Sequence, residues 1–338
     1  VNLSYKKPDL KNVYYDEFLE SIQSLNNLTI AITGTTSGTG YVAAQTVASK
    51  GARVILLNRK SKRATKSYND LKKNNPEAEL FLVECDLQSF ESVRKAAKEV
   101  VKLCPKGLDA LCNNAGVMAL KDIATSDGFD VQMQTNHLSH FLLTKELMPS
   151  LKKAADNNGE SRVVNHSSIS RFGVKSLEAQ YLEKKGGNLG GNGRRMMFFP
   201  QARWKRYSQT KLANAAFTAS LSEKLNNSNS NIKALVAHPG LSVTDLQHTT
   251  IIDGGMGTWM TSQMMKSGQT KEDGAIGIIK CMTDPTLDSG KFVGPGAGKM
   301  AMKGPVISFD LEPFYDNQYT KDLLWTKSCE AIGEDFII

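Results

Sequence analysis

From about residue 28 onward, short runs of Val, Ile and Leu alternate with longer segments of helical period, and Gly, Asn, Asp or Pro marks each change. Such alternation points to βαβ units and a parallel sheet. The pattern predicts strands at 28–33, 53–58, 79–84, 108–113, 161–167 and 232–237, with a weaker seventh at 291–294. These runs are apolar on both faces, which suits strands covered by helices above and below. The expected fold is one doubly wound α/β domain, a mostly parallel seven-stranded sheet with helices on both faces.

Two long helical patterns stand out, one beginning near Ser126 and one beginning near Tyr207. Their apolar residues recur at three- and four-residue steps, so each should bury a face on the sheet, and such helices can also pair two subunits in a homodimer. Residues 1–27 precede the alternation as an N-terminal extension whose YYDEFLESIQSL stretch predicts a short helix on the core. The domain proper is 28–338, and its tail after residue 295 reads as a loop followed by a closing helix.

Composition excludes several classes. With 40% hydrophobic and 22% charged residues the chain reads as a soluble globular protein. No apolar stretch approaches the roughly 18 residues of a membrane-spanning helix. The start lacks the layout of a secretory signal, so the expected compartment is the cytoplasm, or an organelle lumen or stroma if a targeting peptide has been removed. Five cysteines without a C-x-x-C pair suggest neither a zinc cage nor a disulfide framework. The formal charge of +8 is scattered, which fits a phosphate-bearing cofactor and a solvated basic surface better than nucleic acid.

The first strand runs directly into Thr33-Gly34-Thr35-Thr36-Ser37-Gly38-Thr39-Gly40 and then a helix. Glycines there would let the backbone turn sharply and approach a pyrophosphate held against the positive end of the helix, although any tight strand-to-helix turn can use glycine. The second strand ends in Asn58 and Arg59, followed by Lys60, Lys62 and Arg63. An acid that would bind the adenosine ribose of NAD is missing, while the planar fork of Arg59 suits a 2′-phosphate, so the expected cofactor is NADP(H). A solvated basic helix start is the plain alternative.

Tyr207 and Lys211 lie four residues apart, on one face of a helix. An adjacent ammonium favours the phenolate and fits the tyrosine for proton exchange with a substrate hydroxyl or carbonyl. Asn165-His166-Ser167-Ser168 and Asn113-Asn114-Ala115-Gly116 leave the fifth and fourth strands, at the carboxyl ends where ligands bind in open parallel sheets. His137, His140 and His166 lack metal-ligand partners at suitable spacing and are expected to be structural or water-facing, with no metal required.

TGTTSGTG, the CDL at 85–87, NNAG, Asn136 in QTNHLSHF, NHSS, YSQTK and HPGLSVT at 238–244 succeed one another in order. Together they resemble the short-chain dehydrogenase/reductase family over residues 28 to 300, most closely its retinol-dehydrogenase-like and WW-domain-oxidoreductase-like branch. The resemblance implies a Rossmann domain with Tyr207 as general acid or base, Lys211 lowering its pKa and holding the nicotinamide ribose, Ser168 polarising the substrate oxygen and Asn136 completing a proton relay. It also implies that Gly34, Ser37, Gly38 and Gly40 line the pyrophosphate, Arg59 the 2′-phosphate, Asp86 the adenine, Asn113 the adenosine side and Thr244 the nicotinamide carboxamide or a phosphate. Ser167 is expected to be structural. The implied activity is NADP(H)-dependent hydride transfer at a hydroxyl or carbonyl of a moderately apolar substrate, retinoid-, steroid- or aldehyde-like.

Two alternatives accompany it. A protochlorophyllide-reductase-like enzyme would carry a cysteine where this chain has Ala213, and a non-catalytic NADP-binding regulator or scaffold would not need Asn136, Ser168, Tyr207 and Lys211 together. Between Ser168 and Tyr207 lie 38 residues, so the stretch 172–206 is expected to form a lid-like insertion. Its Met196, Met197, Phe198, Phe199 and Trp204 could meet an apolar substrate or pack the lid down, and the surrounding Arg194, Arg195, Arg203, Lys205 and Arg206 admit peripheral membrane contact. The resemblance also implies that the segment 245–270 covers the substrate, with Trp259 or Met260 lining the pocket; its methionines suit an irregular apolar shape and are equally common as core filler.

Overall fold

The computed structural model describes residues 6–193, 201–296 and 301–338; Arg194, Arg195 and the run Met196 to Phe199 lie outside them. In chain order its elements are α1 (Tyr15–Ser21), β1 (Thr29–Thr33), α2 (Gly38–Ser49), β2 (Arg53–Asn58), α3 (Lys62–Asn74), β3 (Leu80–Glu84), α4 (Phe90–Leu103) and β4 (Ala110–Asn113). Next come α5 (Val131–Met133), a π turn at Gln134–Leu138, α6 (Ser139–Asn158), β5 (Ser161–His166), α7 (Ala202–Asn227) and β6 (Ile232–Ala237). The chain ends with α8 (Asp245–Ile252), α9 (Thr258–Lys266), α10 (Lys271–Thr283), β7 (Lys291–Pro295), β8 (Val306–Asp310) and α11 (Gln318–Ile332).

The strands form one sheet in the order β3-β2-β1-β4-β5-β6-β7-β8. The first seven coincide with the predicted runs to within two residues and pair in parallel from β3 through β7. An eighth strand corrects the expected seven: β8, from the tail that reads as a loop, pairs antiparallel with β7. Period-2 alternation assigns side chains to two cores. Ile30, Ile32, Val54, Leu56 and Cys112 meet α2 and α10 on one face, while Ala31, Ile55, Val83, Leu111 and Val163 meet α4, α6 and α7 on the other. Because β1 and β4 are neighbours, their connections diverge to opposite faces and open a crevice at their carboxyl ends.

Both long helices start elsewhere than their periodicity suggests. Residues 124–130 fold into a turn closed by an Ala124–Asp130 bridge, and Asp130 then caps α5 by accepting from Gln132 and Met133 N–H. Helix α7 begins at Ala202, five residues before Tyr207. The groove between α6 and α7 is filled by side chains from α11 and the residues after it. Trp325 of α11 packs against Phe141 and Phe217 with ring centroids 5.2 and 6.2 Å apart, and Phe336 covers Phe141.

The N-terminal segment is anchored by one carboxylate. Buried Asp273 in the first turn of α10 accepts the backbone N–H groups of Val13, Tyr14 and Tyr15. Among the described residues no helix is long and apolar enough to cross a membrane.

Candidate active site

The turn after β1 needs its glycines. Gly34 sits at φ +73°, and a Cβ there would lie 2.8 Å from the Ala115 Cα; a Cβ on Gly40 would lie 2.2 Å from Asn114 Nδ2 and 2.4 Å from the Gly34 carbonyl. Asn58 braces the loop from β2, accepting from Thr35 N–H at 2.9 Å and donating to the Thr35 hydroxyl at 2.7 Å. Asn114 braces it from β4, donating to the Thr33 carbonyl at 2.8 Å and accepting from the Thr39 hydroxyl at 3.1 Å. The motifs alone give neither amide a role of its own. Each stands at a strand end beside a glycine turn, which is the signal that could reveal it.

Ser37 stands just before α2 without capping it, and Gly38 faces Thr244, whose methyl would lie 3.3 Å from a Cβ at position 38. Thr244 in turn caps α8 in a reciprocal box with Gln247. The phosphate-type loop and the start of α8 therefore face each other across the crevice. Arg59 is exposed just beyond β2, while Arg63, in the first turn of α3, contacts both Ser37 and Asp245, and Lys7 contacts Asp245 as well. The sequence presents Arg63 only as one of several nearby cations, and its place in the first turn of α3 comes from the fold. Asp86 accepts from Gln88 N–H at the mouth of β3. The buried side chain of Asn113 donates to the Thr144 hydroxyl at 3.1 Å and to Asn165 at 2.9 Å, as a strut at the end of β4.

Tyr207, Lys211, Ser168 and Asn136 converge beyond this loop. The Tyr207 hydroxyl lies beside Ser168; burial pushes its phenol up to about 12, while that neighbour pulls it down. The Lys211 ammonium lies 5.7 Å from the centre of the Tyr207 ring and donates to the His166 carbonyl at 3.0 Å; burial lowers it to about 8. Asn136 lies within the π turn, where the widened backbone aims its side chain at Val117 and Thr210: Nδ2 donates to each at 2.9 Å, and Oδ1 accepts from Val117 N–H at 2.8 Å. A Cβ on Gly116 would lie 3.3 Å from Asn136 Oδ1 and 3.5 Å from Lys211 Nζ, so the NNAG glycine lets β4's exit pass beside both. The Ser167 hydroxyl turns away and donates to the Lys211 carbonyl at 2.6 Å.

The histidines are buried, and desolvation depresses them to about 3 for His137 and His166 and about 4 for His140, so they are neutral. His140 bridges the Thr33 hydroxyl and the Asn136 carbonyl, which ties the π turn to β1. Among the described residues no group of three or more His, Cys, Asp or Glu could hold a metal.

A buried apolar cluster surrounds Tyr207. Trp204 meets its ring edge-on at 5.8 Å, and Met118, Ala119 and Met256 complete the cluster, backed by Leu246, Ile251 and Met264. Trp259 and Met260 do not line it: they are 76% and 50% exposed because α9 buries Thr261 and Met265 instead. Of the described cations near Trp204, Arg203 pairs with Asp253 and Arg206 lies between Asp122 and Asp130, both buried, while the partly exposed Lys205 pairs with Glu178.

The short chain dehydrogenase family profile matches residues 28–188. Short-chain dehydrogenase TIC 32 A, chloroplastic, of Brassica napus is 35% identical over 230 residues, 65% of this chain and 65% of its own length. Human polyprenol dehydrogenase is 29% identical over 307 residues, 89% of this chain and 84% of that one, and human retinol dehydrogenase 13 is 31% identical over 67% and 62%. Among solved structures, a protein of Mycobacterium paratuberculosis superposes with a TM-score of 0.69 at 28% identity, covering 95% of this chain and 98% of that one. The chain belongs to the short-chain dehydrogenases. Within that family it lies in the retinol-dehydrogenase-like branch.

Proposed function

We propose that the protein is an NADP(H)-dependent oxidoreductase that interconverts a hydroxyl and a carbonyl group on a moderately apolar small molecule of retinoid, steroid or aldehyde type. The observation that carries this reading is the buried contact of the Tyr207 phenol with Ser168, one helical turn from the Lys211 ammonium. The crevice fits a dinucleotide: its loop leaves no room for a Cβ at Gly34 or Gly40, and a helix N-terminus faces it. Gly34, Ser37, Gly38 and Gly40 would hold the pyrophosphate, Arg59 and Arg63 the 2′-phosphate, Asp86 the adenine, Thr244 and Lys211 the nicotinamide half. Bound there, the nicotinamide would donate or accept the hydride.

The protein's own groups manage the oxygen and its proton. Ser168 and Tyr207 would both donate to the substrate oxygen, stabilising negative charge where it develops. Tyr207 Oη would give up or take the proton, with Lys211 favouring the phenolate and Asn136 holding the relay behind it. Met118, Trp204 and Met256 would exclude water and receive an apolar substrate body. Relatives named for polyprenol and retinol are in keeping with this chemistry. We propose further that 172–206 and 245–270 cover the cleft. As compartments we propose the cytoplasm or an organelle stroma, the latter in keeping with the chloroplastic relative. Ala213 is fully buried in the core, and nothing in the site favours the protochlorophyllide-type alternative.

The test is NADPH oxidation with a panel of all-trans-retinal, a steroid ketone, a quinone and decanal, run with Tyr207→Phe alongside. Turnover should fall by at least about 100-fold in the variant while NADPH binding persists. Turnover undiminished in the variant would remove Tyr207 from the chemistry. NADPH binding without turnover of any carbonyl would favour the regulator or scaffold.

A further inference from the structure

Three residues after Ser168, Arg171 is fully buried. Its guanidinium is stacked between the rings of Phe172 and Phe292, 4.2 Å from each centroid. It pairs with Glu312, itself 2% exposed, and Glu312 also accepts from the hydroxyl of buried Tyr315. On the other side Nη1 donates to the Ser168 carbonyl at 3.1 Å, and the Arg171 backbone N–H donates to the same oxygen at 3.1 Å. The Ser168 hydroxyl, meanwhile, accepts from Ser170 N–H at 3.2 Å and caps this short turn. Glu312 and Tyr315 lie just after β8 in the tail, 141 residues from Arg171 in sequence for the first of them.

A buried ion pair of this kind is weak support for stability, because removing two charges from water offsets most of their attraction. Its geometry is more informative. The carbonyl it grips belongs to the residue whose hydroxyl meets Tyr207, and both aromatic plates fix the guanidinium's plane. We propose that Arg171 is a positioning residue: the C-terminal tail, through Glu312 and Tyr315, locks its guanidinium on the Ser168 carbonyl and so sets the Ser168 hydroxyl opposite Tyr207. The proposal rests on the reading of Ser168 as a donor to the substrate oxygen.

The test replaces the network by apolar groups of similar size, Arg171→Met with Glu312→Leu and Tyr315→Phe, so that no buried polar atom of the three is left alone. The melting temperature and NADPH affinity should stay unchanged, while kcat for the best carbonyl of the panel falls about 10- to 100-fold at constant KM. A readout independent of substrate is fluorine NMR of meta-fluorotyrosine placed at position 207, whose resonance should shift as Ser168 moves. If the triple variant does not fold, Glu312→Gln, which keeps the side chain's size, carries the same two readouts. A folded variant with unaltered kcat and an unaltered fluorine resonance would overturn the proposal. The resonance is read without turnover, so it answers separately from Tyr207→Phe, which tests the catalytic reading.

Discussion

Lys211 and His166 are joined by a 3.0 Å hydrogen bond from the ammonium to the backbone carbonyl, and this bond fastens the middle of α7 to the end of β5. The same oxygen also accepts from Asn214 at 3.0 Å, so it keeps a partner if the lysine is lost. Burial holds the ammonium near 8 instead of its ordinary 10.5. Between those two values the unfolded chain binds more protons than the folded one, so stability should rise with pH across that window. Lys211→Met should lose turnover, melt higher than the parent at pH 7 without cofactor, and lack this contribution to the rise. Thermal melts from pH 7 to about 10 of both proteins check it; parallel curves would show that Lys211 carries no burial penalty.

Arg59 is exposed just beyond β2, and Arg63 lies four residues further on, in the first turn of α3. Arg59→Ala should weaken NADPH binding about 10- to 100-fold, the range for a charge-assisted contact to phosphate, and leave NADH binding as it was. Titrations with both nucleotides decide it. Equal losses for the two would mean that Arg59 does not read the 2′-phosphate.

Gly40 packs with no room for a methyl group, 2.2 Å from Asn114 Nδ2 by its ideal Cβ position. Gly40→Ala should displace Asn114 from its bond to the Thr33 carbonyl, cost about 1–3 kcal/mol of stability and weaken NADPH binding. Denaturant unfolding and a binding titration measure the two effects. A variant that matches the parent in both would show that the loop relaxes freely.

Asp122 fastens the insertion. Its carboxylate accepts the backbone N–H groups of Gly187, Leu189 and Gly191, and Arg206 donates to the Leu189 and Gly191 carbonyls from below. Asp122→Ala should leave these groups unpaired, cost about 3–5 kcal/mol and speed tryptic cleavage at the exposed Lys184 and Lys185. Cleavage at the parent's rate would show that the segment is held by its apolar contacts alone.

The legible part of the fold is what local pattern controls. Seven strands show because each is a run of branched apolar residues ending in a turn signal, and the motif residues cluster because strand ends in a parallel sheet share one edge. Strand β8 is hidden from such reading: VISFD is mostly exposed, and its place comes from β7. Helix α7 reads as starting at Tyr207 because arginines in ARWKRY look like solvent-facing residues, whereas Arg203 and Arg206 are buried against carboxylates from distant segments. The family resemblance suggests Trp259 or Met260 for the substrate pocket, and only the phase of α9 turns them outward. The pairing of Arg171 with Glu312 spans most of the domain and leaves no local trace.

The wide turn that carries Asn136 is also a matter of residue count. Its closing bond runs from Ser139 N–H back to the Gln134 carbonyl, one residue more than an α-turn holds. Removing a single residue between 134 and 138 would let an ordinary ladder run unbroken from Val131 into α6, rotating the segment before it by about 100° about the helix axis relative to α6. The amide would leave Thr210, and the crevice would lose its inner wall with every remaining side chain chemically intact. In this stretch a change of length is therefore costlier than most changes of letter.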